Sequence, residues 1–144
     1  MRGVDTNILV YACLTEAPHH DKAKTLLAEL AEGNIPWAIP WPCIYEFLRV
    51  MTHPSVATVS VSMEVALKSL RPFLDSPSLI LLAETDRHRE ISEALLVRSG
   101  VAGNLVYDAH IATLLLEHGV REIITNDDDF RRFEELRVIN PFRA

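Results

Sequence analysis

Short apolar runs alternate with longer stretches of helical period along the whole chain, and few folds accept that alternation. The runs that read as strands are Arg2 to Val4, Pro36 to Ile39, Leu79 to Leu82, Glu122 to Thr125 and Arg137 to Ile139. Helical spacing is expected over His19 to Glu32, where Ala23, Leu26, Leu27 and Leu30 share a face. Pro42 opens a second helix that runs to about His53, since a missing N–H costs nothing in the first turn. Ser62 begins a third that ends before Pro77, and Arg87 to Ser99 stops at Gly100. In Asn104 to His118, Leu105, Ala109, Ala112 and Leu116 form a stripe, with Asn104 as cap and Gly119 as terminator. Strands that alternate with helices imply an α/β fold: a central parallel sheet flanked by helices on both faces. In such sheets the ligand crevice lies beyond the carboxyl ends of the strands.

A chain of 144 residues fits one domain, residues 1–144, with a sizeable core. No apolar stretch approaches the roughly 20 residues needed to span a bilayer. The N-terminal run is interrupted by Asp5 and Asn7, and no small-residue cleavage site follows, so a cytoplasmic protein with no membrane association is expected. Cys13 and Cys43 form neither a CxxC pair nor a disulfide framework and read as reduced, buried thiols. The formal net charge of −6 argues against a simple electrostatic binder of nucleic acid. It leaves open an enzyme that surrounds cations with its acids and keeps a local basic rim.

Acids belong on solvated faces, so an acid inside an apolar pattern is informative. Asp5 follows the first strand and precedes Ile8, Leu9 and Val10. Glu46 sits in Ile44-Tyr45-Glu46-Phe47-Leu48, and Asp108 lies beside the stripe of its helix. An unpaired buried carboxylate costs several kcal/mol, so each needs a cation or hydrogen-bond donors. Each also has an ordinary structural reading. Asp5 suits a helix N-cap, Glu46 can pair with Arg49, Asp108 can complement its helix dipole, and Asp127 to Asp129 can form a solvated cap. Three such acids at junctions near the expected crevice point instead to one shared site.

Carboxylates without His or Cys ligands suit Mg²⁺ or Mn²⁺ rather than zinc. One or two such ions support phosphodiester hydrolysis by activating water and stabilising the leaving oxygen. None of the six His residues has a metal-ligand spacing such as HExxH, and His19-His20 reads as a helix start.

The same residues carry a recognisable pattern. Val4-Asp5-Thr6-Asn7-Ile8-Leu9 resembles the opening motif of PIN-domain nucleases. Trp41-Pro42 followed by Glu46-Phe47-Leu48-Arg49-Val50 resembles their second acidic motif, and Gly103 to His110 their third. Thr125-Asn126-Asp127-Asp128-Asp129-Phe130 resembles the fourth, T-x-D-x-D-F. Four motifs in order over almost the whole chain most resemble the VapC toxins of VapBC toxin–antitoxin modules. The resemblance implies a PIN fold, Mg²⁺- or Mn²⁺-dependent cleavage of structured RNA, a homodimer, and inhibition by a VapB antitoxin. It carries metal-site roles onto Asp5, Glu46, Asp108 and Asp127, with Asp129 assisting or substituting. Thr6 or Asn7, with Thr125, would orient the carboxylates through hydrogen bonds.

RNA positioning needs cations elsewhere, and Arg49, Arg87, Arg89, Arg131 and Arg132 are candidates for phosphate contacts or are ordinary surface charges. A haloacid-dehalogenase-like phosphatase would need a second acid two residues after Asp5, where Asn7 stands. A response-regulator receiver would need a late Lys, but Lys22, Lys24 and Lys68 all lie in the first half. A non-catalytic PIN-like RNA-binding module would be expected to lack one of the acids, and none is missing.

Overall fold

A computed structural model describes residues 1–54 and 60–143. In chain order the elements are β1 (Arg2–Val4), α1 (Thr6–Cys13), α2 (His20–Glu32), β2 (Trp37–Pro40), α3 (Trp41–Thr52) and α4 (Met63–Leu74). Then follow β3 (Leu79–Leu82), α5 (His88–Ser99), α6 (Leu105–Glu117), β4 (Glu122–Ile124), a 3₁₀ turn (Asp128–Arg132) and β5 (Arg137–Ile139). The sheet is parallel throughout, in the order β3-β2-β1-β4-β5.

That order decides where the helices go. From β1 the chain steps outward to β2 and β3, then returns across the sheet to β4. Right-handed crossovers therefore put α1 to α4 on one face and α5 with α6 on the other. The packing agrees: α1 touches α2, α3 and α4, while α5 lies against α6. β1 and β4 are neighbours whose chains leave towards opposite faces, so a crevice opens beyond their carboxyl ends. The β1–β4 ladder runs right up to it, with the Asp5 amide donating to the Ile124 carbonyl at 3.1 Å.

The expected strands and helices are present within a residue or two at their ends, and two features differ. The first is α1, which the sequence reading did not separate from the apolar run after Asp5. Ile8, Leu9 and Ala12 are buried, and Val10, Tyr11, Cys13 and Leu14 pack against the core as well. A helix wrapped by three others has no polar face, so its period is invisible. The second is the start of α6. Asn104 makes no side-chain cap; backbone turns from Leu105 to Ala102 and from Val106 to Gly103 begin the helix instead. Gly119 does end it, at φ 75°. Ser62 caps α4 through Val65 N at 3.2 Å, and Gly100 closes α5 in the left-handed region.

Trp37, Phe47, Phe130 and Phe133 are the largest fully buried side chains. Cys13 and Cys43 are free thiols, Cys43 buried and Cys13 partly so. Burial raises the Cys13 thiol to about 11. Among the described residues no helix is long and apolar enough to cross a membrane.

Candidate active site

Asp5 is the residue after β1 and the N-cap of α1, so backbone geometry fixes it at the mouth of the crevice. Its Oδ1 accepts from Thr6 N at 2.7 Å, and its Oδ2 accepts from the Thr125 hydroxyl at 2.7 Å. The Asn7 amide donates to Thr125 Oγ1 at 3.1 Å and makes a longer 3.4 Å approach to Asp5 Oδ2. Thr125 Oγ1 also accepts from Asp127 N at 3.0 Å. A buried threonine beyond β4 thus ties Asp5 to the loop that carries the last acids.

The other acids come from separate elements. Glu46 lies midway along α3, where its Oε2 accepts from the Thr6 hydroxyl at 3.1 Å. Asp108 sits in the first turn of α6. Together Asp5, Thr6, Asn7, Glu46, Asp108 and Asp127 line a pocket of about 210 Å³. A larger groove of about 700 Å³ shares Glu46 and Asp108 with it and adds Arg49, Tyr45, Tyr107 and Asp129.

The three consecutive aspartates divide by direction. One carboxylate oxygen each from Asp108, Asp127 and Asp129 lies within 4.8 Å of the other two. Asp127 also accepts from Asp129 N at 2.8 Å, which starts the 3₁₀ turn. Asp128 turns away and pairs with Arg131 and Arg143 at 3.0 Å each. Solvated capping therefore describes Asp128, while Asp127 and Asp129 both face Asp108.

The electrostatics are those of crowded carboxylates. Burial pushes Asp5 up to about 6, opposed by the Thr125 and Thr6 hydrogen bonds and reinforced by Glu46 and Asp127. Asp108 rises to about 7, first through desolvation and then through Asp127, Asp5, Asp129 and Glu46. Cys43, whose thiol points at Asp5 Oδ1 at 3.8 Å, is raised by burial and by that carboxylate. Burial and like charge together thus favour the protonated form of Asp5 and Asp108.

Of the five arginines, Arg49 lines the groove beside Glu46 and Asp108. Arg87 and Arg89 pair with Glu90 and Glu93 on α5, Arg131 pairs with Asp128, and Arg132 lines a separate pocket with Arg98 and Glu135. His19 and His20 sit at the start of α2, His19 stacked on Phe142 and His20 bonded to the Tyr11 carbonyl. Sequence reasoning missed Asn126 and Tyr11. Asn126 N donates to Asn7 Oδ1 at 3.3 Å and its amide donates to the Tyr11 hydroxyl at 3.3 Å, bracing the segment after β4 against α1. The only sequence signal for Asn126 is its place between Thr125 and Asp127.

The PIN domain family profile matches residues 4–136. Ribonuclease VapC48 of Mycobacterium tuberculosis is 34% identical over 142 residues, covering 96% of this chain and 95% of that protein. Ribonuclease VapC37 of the same organism is 33% identical over 141 residues, covering 98% and 97%. Among solved structures, VapBC2 of Rickettsia felis bound to a promoter DNA fragment aligns with a TM-score of 0.69 at 24% identity, over 96% of this chain and 97% of that one. VapC20 of M. tuberculosis, a Sarcin-Ricin loop cleaving toxin, aligns with a TM-score of 0.68 at 19% identity, over 95% and 99%. These structural likenesses show the fold.

Proposed function

The chain belongs to the PIN-domain family and within it to the VapC ribonucleases, and from that premise we propose that it is a toxin endoribonuclease that cleaves RNA at the carboxylate cluster. The observation that carries the reading is the convergence of Asp5, Glu46, Asp108 and Asp127 on one pocket at the carboxyl ends of the strands. Similarity to proteins named ribonucleases makes the bond to be cut an RNA phosphodiester.

The donor set fits a hard divalent cation. It consists of carboxylate oxygens with no imidazole among them, and burial, reinforced by the neighbouring carboxylates, raises Asp5 and Asp108. Asp5, Glu46, Asp108 and Asp127 would hold Mg²⁺ or Mn²⁺, with Asp129 at the outer edge. When bound, such an ion acidifies a water and neutralises phosphate charge. The protein's own groups do the positioning. Thr125 and the Thr6 amide fix both oxygens of Asp5, Thr6 Oγ1 fixes Glu46, and Asn7 holds Thr125. Asp5 and Glu46 are thereby held in orientation by the protein itself.

The groove supplies a path for the strand. Arg49 can meet a backbone phosphate, and the Tyr45 and Tyr107 rings, 68% and 71% exposed, can stack on bases. With a net charge of −6 the chain relies on such local contacts rather than on an overall positive field. Relatives of the fold include a VapBC complex, which supports an antitoxin of the VapB kind as partner. The homodimer follows from the family resemblance. Arg87, Arg89, Arg131 and Arg132 line neither the pocket nor the groove and remain candidate phosphate contacts only for more distant parts of the RNA.

The test is the purified chain incubated with total RNA and Mg²⁺ or Mn²⁺, with the new ends mapped. Defined fragments that disappear in excess EDTA are expected. Hydrolysis of phosphate monoesters with intact RNA would favour a phosphatase, and binding without cleavage would favour an inactive module. Co-expression with a small adjacent reading frame should yield a stable complex and suppress cleavage.

A further inference from the structure

A second convergence of ligating groups lies outside the carboxylate cluster, where the β3–α5 connection and the start of α5 meet α6. Glu84, His88 and His110 each offer one donor atom within 4.8 Å of the other two. We propose that these three residues bind a divalent cation of borderline softness, of the zinc type, which clamps α5 to α6.

The donor chemistry separates this site from the first. Two imidazoles and one carboxylate are a set that zinc accepts, leaving a fourth position for water, whereas magnesium prefers oxygens alone. The independent observation is the support behind His88. Glu117, whose side chain is fully buried, accepts from His88 Nδ1 at 2.6 Å through Oε1. Its other oxygen accepts from both the amide and the hydroxyl of Thr85, at 3.0 and 2.7 Å. With Nδ1 donating to that carboxylate, the neutral His88 ring has Nε2 as the atom that offers a lone pair to a cation. A carboxylate behind the imidazole is the arrangement that orients metal-bound histidines and raises their basicity.

The remaining two donors already face each other. His110 Nε2 lies 3.0 Å from Glu84 Oε1, and the His88 and His110 rings meet edge to face at 5.5 Å. A cation would replace the proton shared by His110 and Glu84, which moves to Nδ1 or to solvent. Among the described residues, the ion pairs of Glu84 and Glu117 are with histidines rather than with Arg or Lys. An ion here would join the 84–88 segment to α6, two residues past Asp108, and stabilise the folded state by mass action.

The experiment is calorimetric titration of Zn²⁺ into the metal-stripped protein in excess Mg²⁺, compared with Glu84→Gln, His88→Gln and Asp127→Asn. Glu84 is exposed, so its replacement leaves the core intact. One zinc is expected to bind the parent and Asp127→Asn alike, and at least about tenfold more weakly in Glu84→Gln and His88→Gln. Should His88→Gln fail to fold, Glu84→Gln decides alone. Absence of zinc binding, or unchanged binding in Glu84→Gln, would overturn the proposal. No RNA enters the test, so its outcome is independent of the ribonuclease reading.

Discussion

At Asp5 two demands meet: the residue caps α1 and it stands in a pocket with three other acids. Thr125 reconciles them, because its hydroxyl bonds Asp5 while its oxygen holds Asp127 N and the Asn7 amide. Thr125→Val should lower RNA cleavage about 10–100-fold, with Thr125→Ser restoring most of it, as measured in a fragment assay at fixed Mn²⁺. An unchanged rate would remove Thr125 from any positioning role. Asp128→Asn should leave cleavage within a few-fold, since that carboxylate pairs outward with Arg131 and Arg143. Asp5 was legible in the sequence as a carboxylate buried among apolar neighbours. Glu46 is exposed and Asp108 half-buried, so apolar neighbours in the sequence and motif position marked them rather than burial, and Asp127 was marked by its motif alone. The braces were not legible. Asn7 and Asn126 act on partners about 120 positions away, a pairing that only the β1–β4 register creates.

Elements place these residues, and the ease with which each can be read follows its surroundings. Capping and stop signals at Ser62, Gly100 and Gly119 work locally, so α4, α5 and the end of α6 were readable. α1 was not, because neighbours on several sides erase its polar face. The sheet is held close to α6 at Gly3, where an added Cβ would clash with Leu115 Cδ2 in the core. Gly3→Val should cost about 1–3 kcal/mol in urea unfolding by overpacking. A neutral effect would mean that α6 shifts freely over β1. The 3₁₀ turn is anchored by Phe130 and Phe133, buried rings 6.0 Å apart. Phe130→Ala should cost about 3–5 kcal/mol and should weaken cleavage beyond its effect on the folded fraction, since the turn carries Asp127 and Asp129.

Over the whole molecule, the crossovers turn acids from the β1–α1 junction, α3, α6 and the segment after β4 into one concentration of negative charge. Strand order could be inferred only as parallel from the alternation; the switch between β1 and β4 needed the pairing itself. The charge has a price in stability. Asp5 and Asp108 ionise near 3.8 in an unstructured chain but near 6 and 7 when folded, so the folded protein holds more protons between those values. The contribution of these two groups is therefore fully present below about pH 4 and is lost as pH rises through 6 and 7. Metal-free protein should accordingly lose thermal stability from pH 5 to 8 more steeply than Asp108→Asn does, and Mn²⁺ should restore it at pH 8. Parallel pH profiles for the two proteins would contradict that reading. The central claim is that the gathered carboxylates are the catalytic metal site. Its most direct measurement is cleavage of total RNA in Mn²⁺ by the parent and by Asp108→Asn at matched folded concentration, verified by circular dichroism. A loss of at least about a hundredfold, on the scale of removing a major transition-state interaction, is predicted; full activity in Asp108→Asn, or in the parent with excess EDTA, would contradict it.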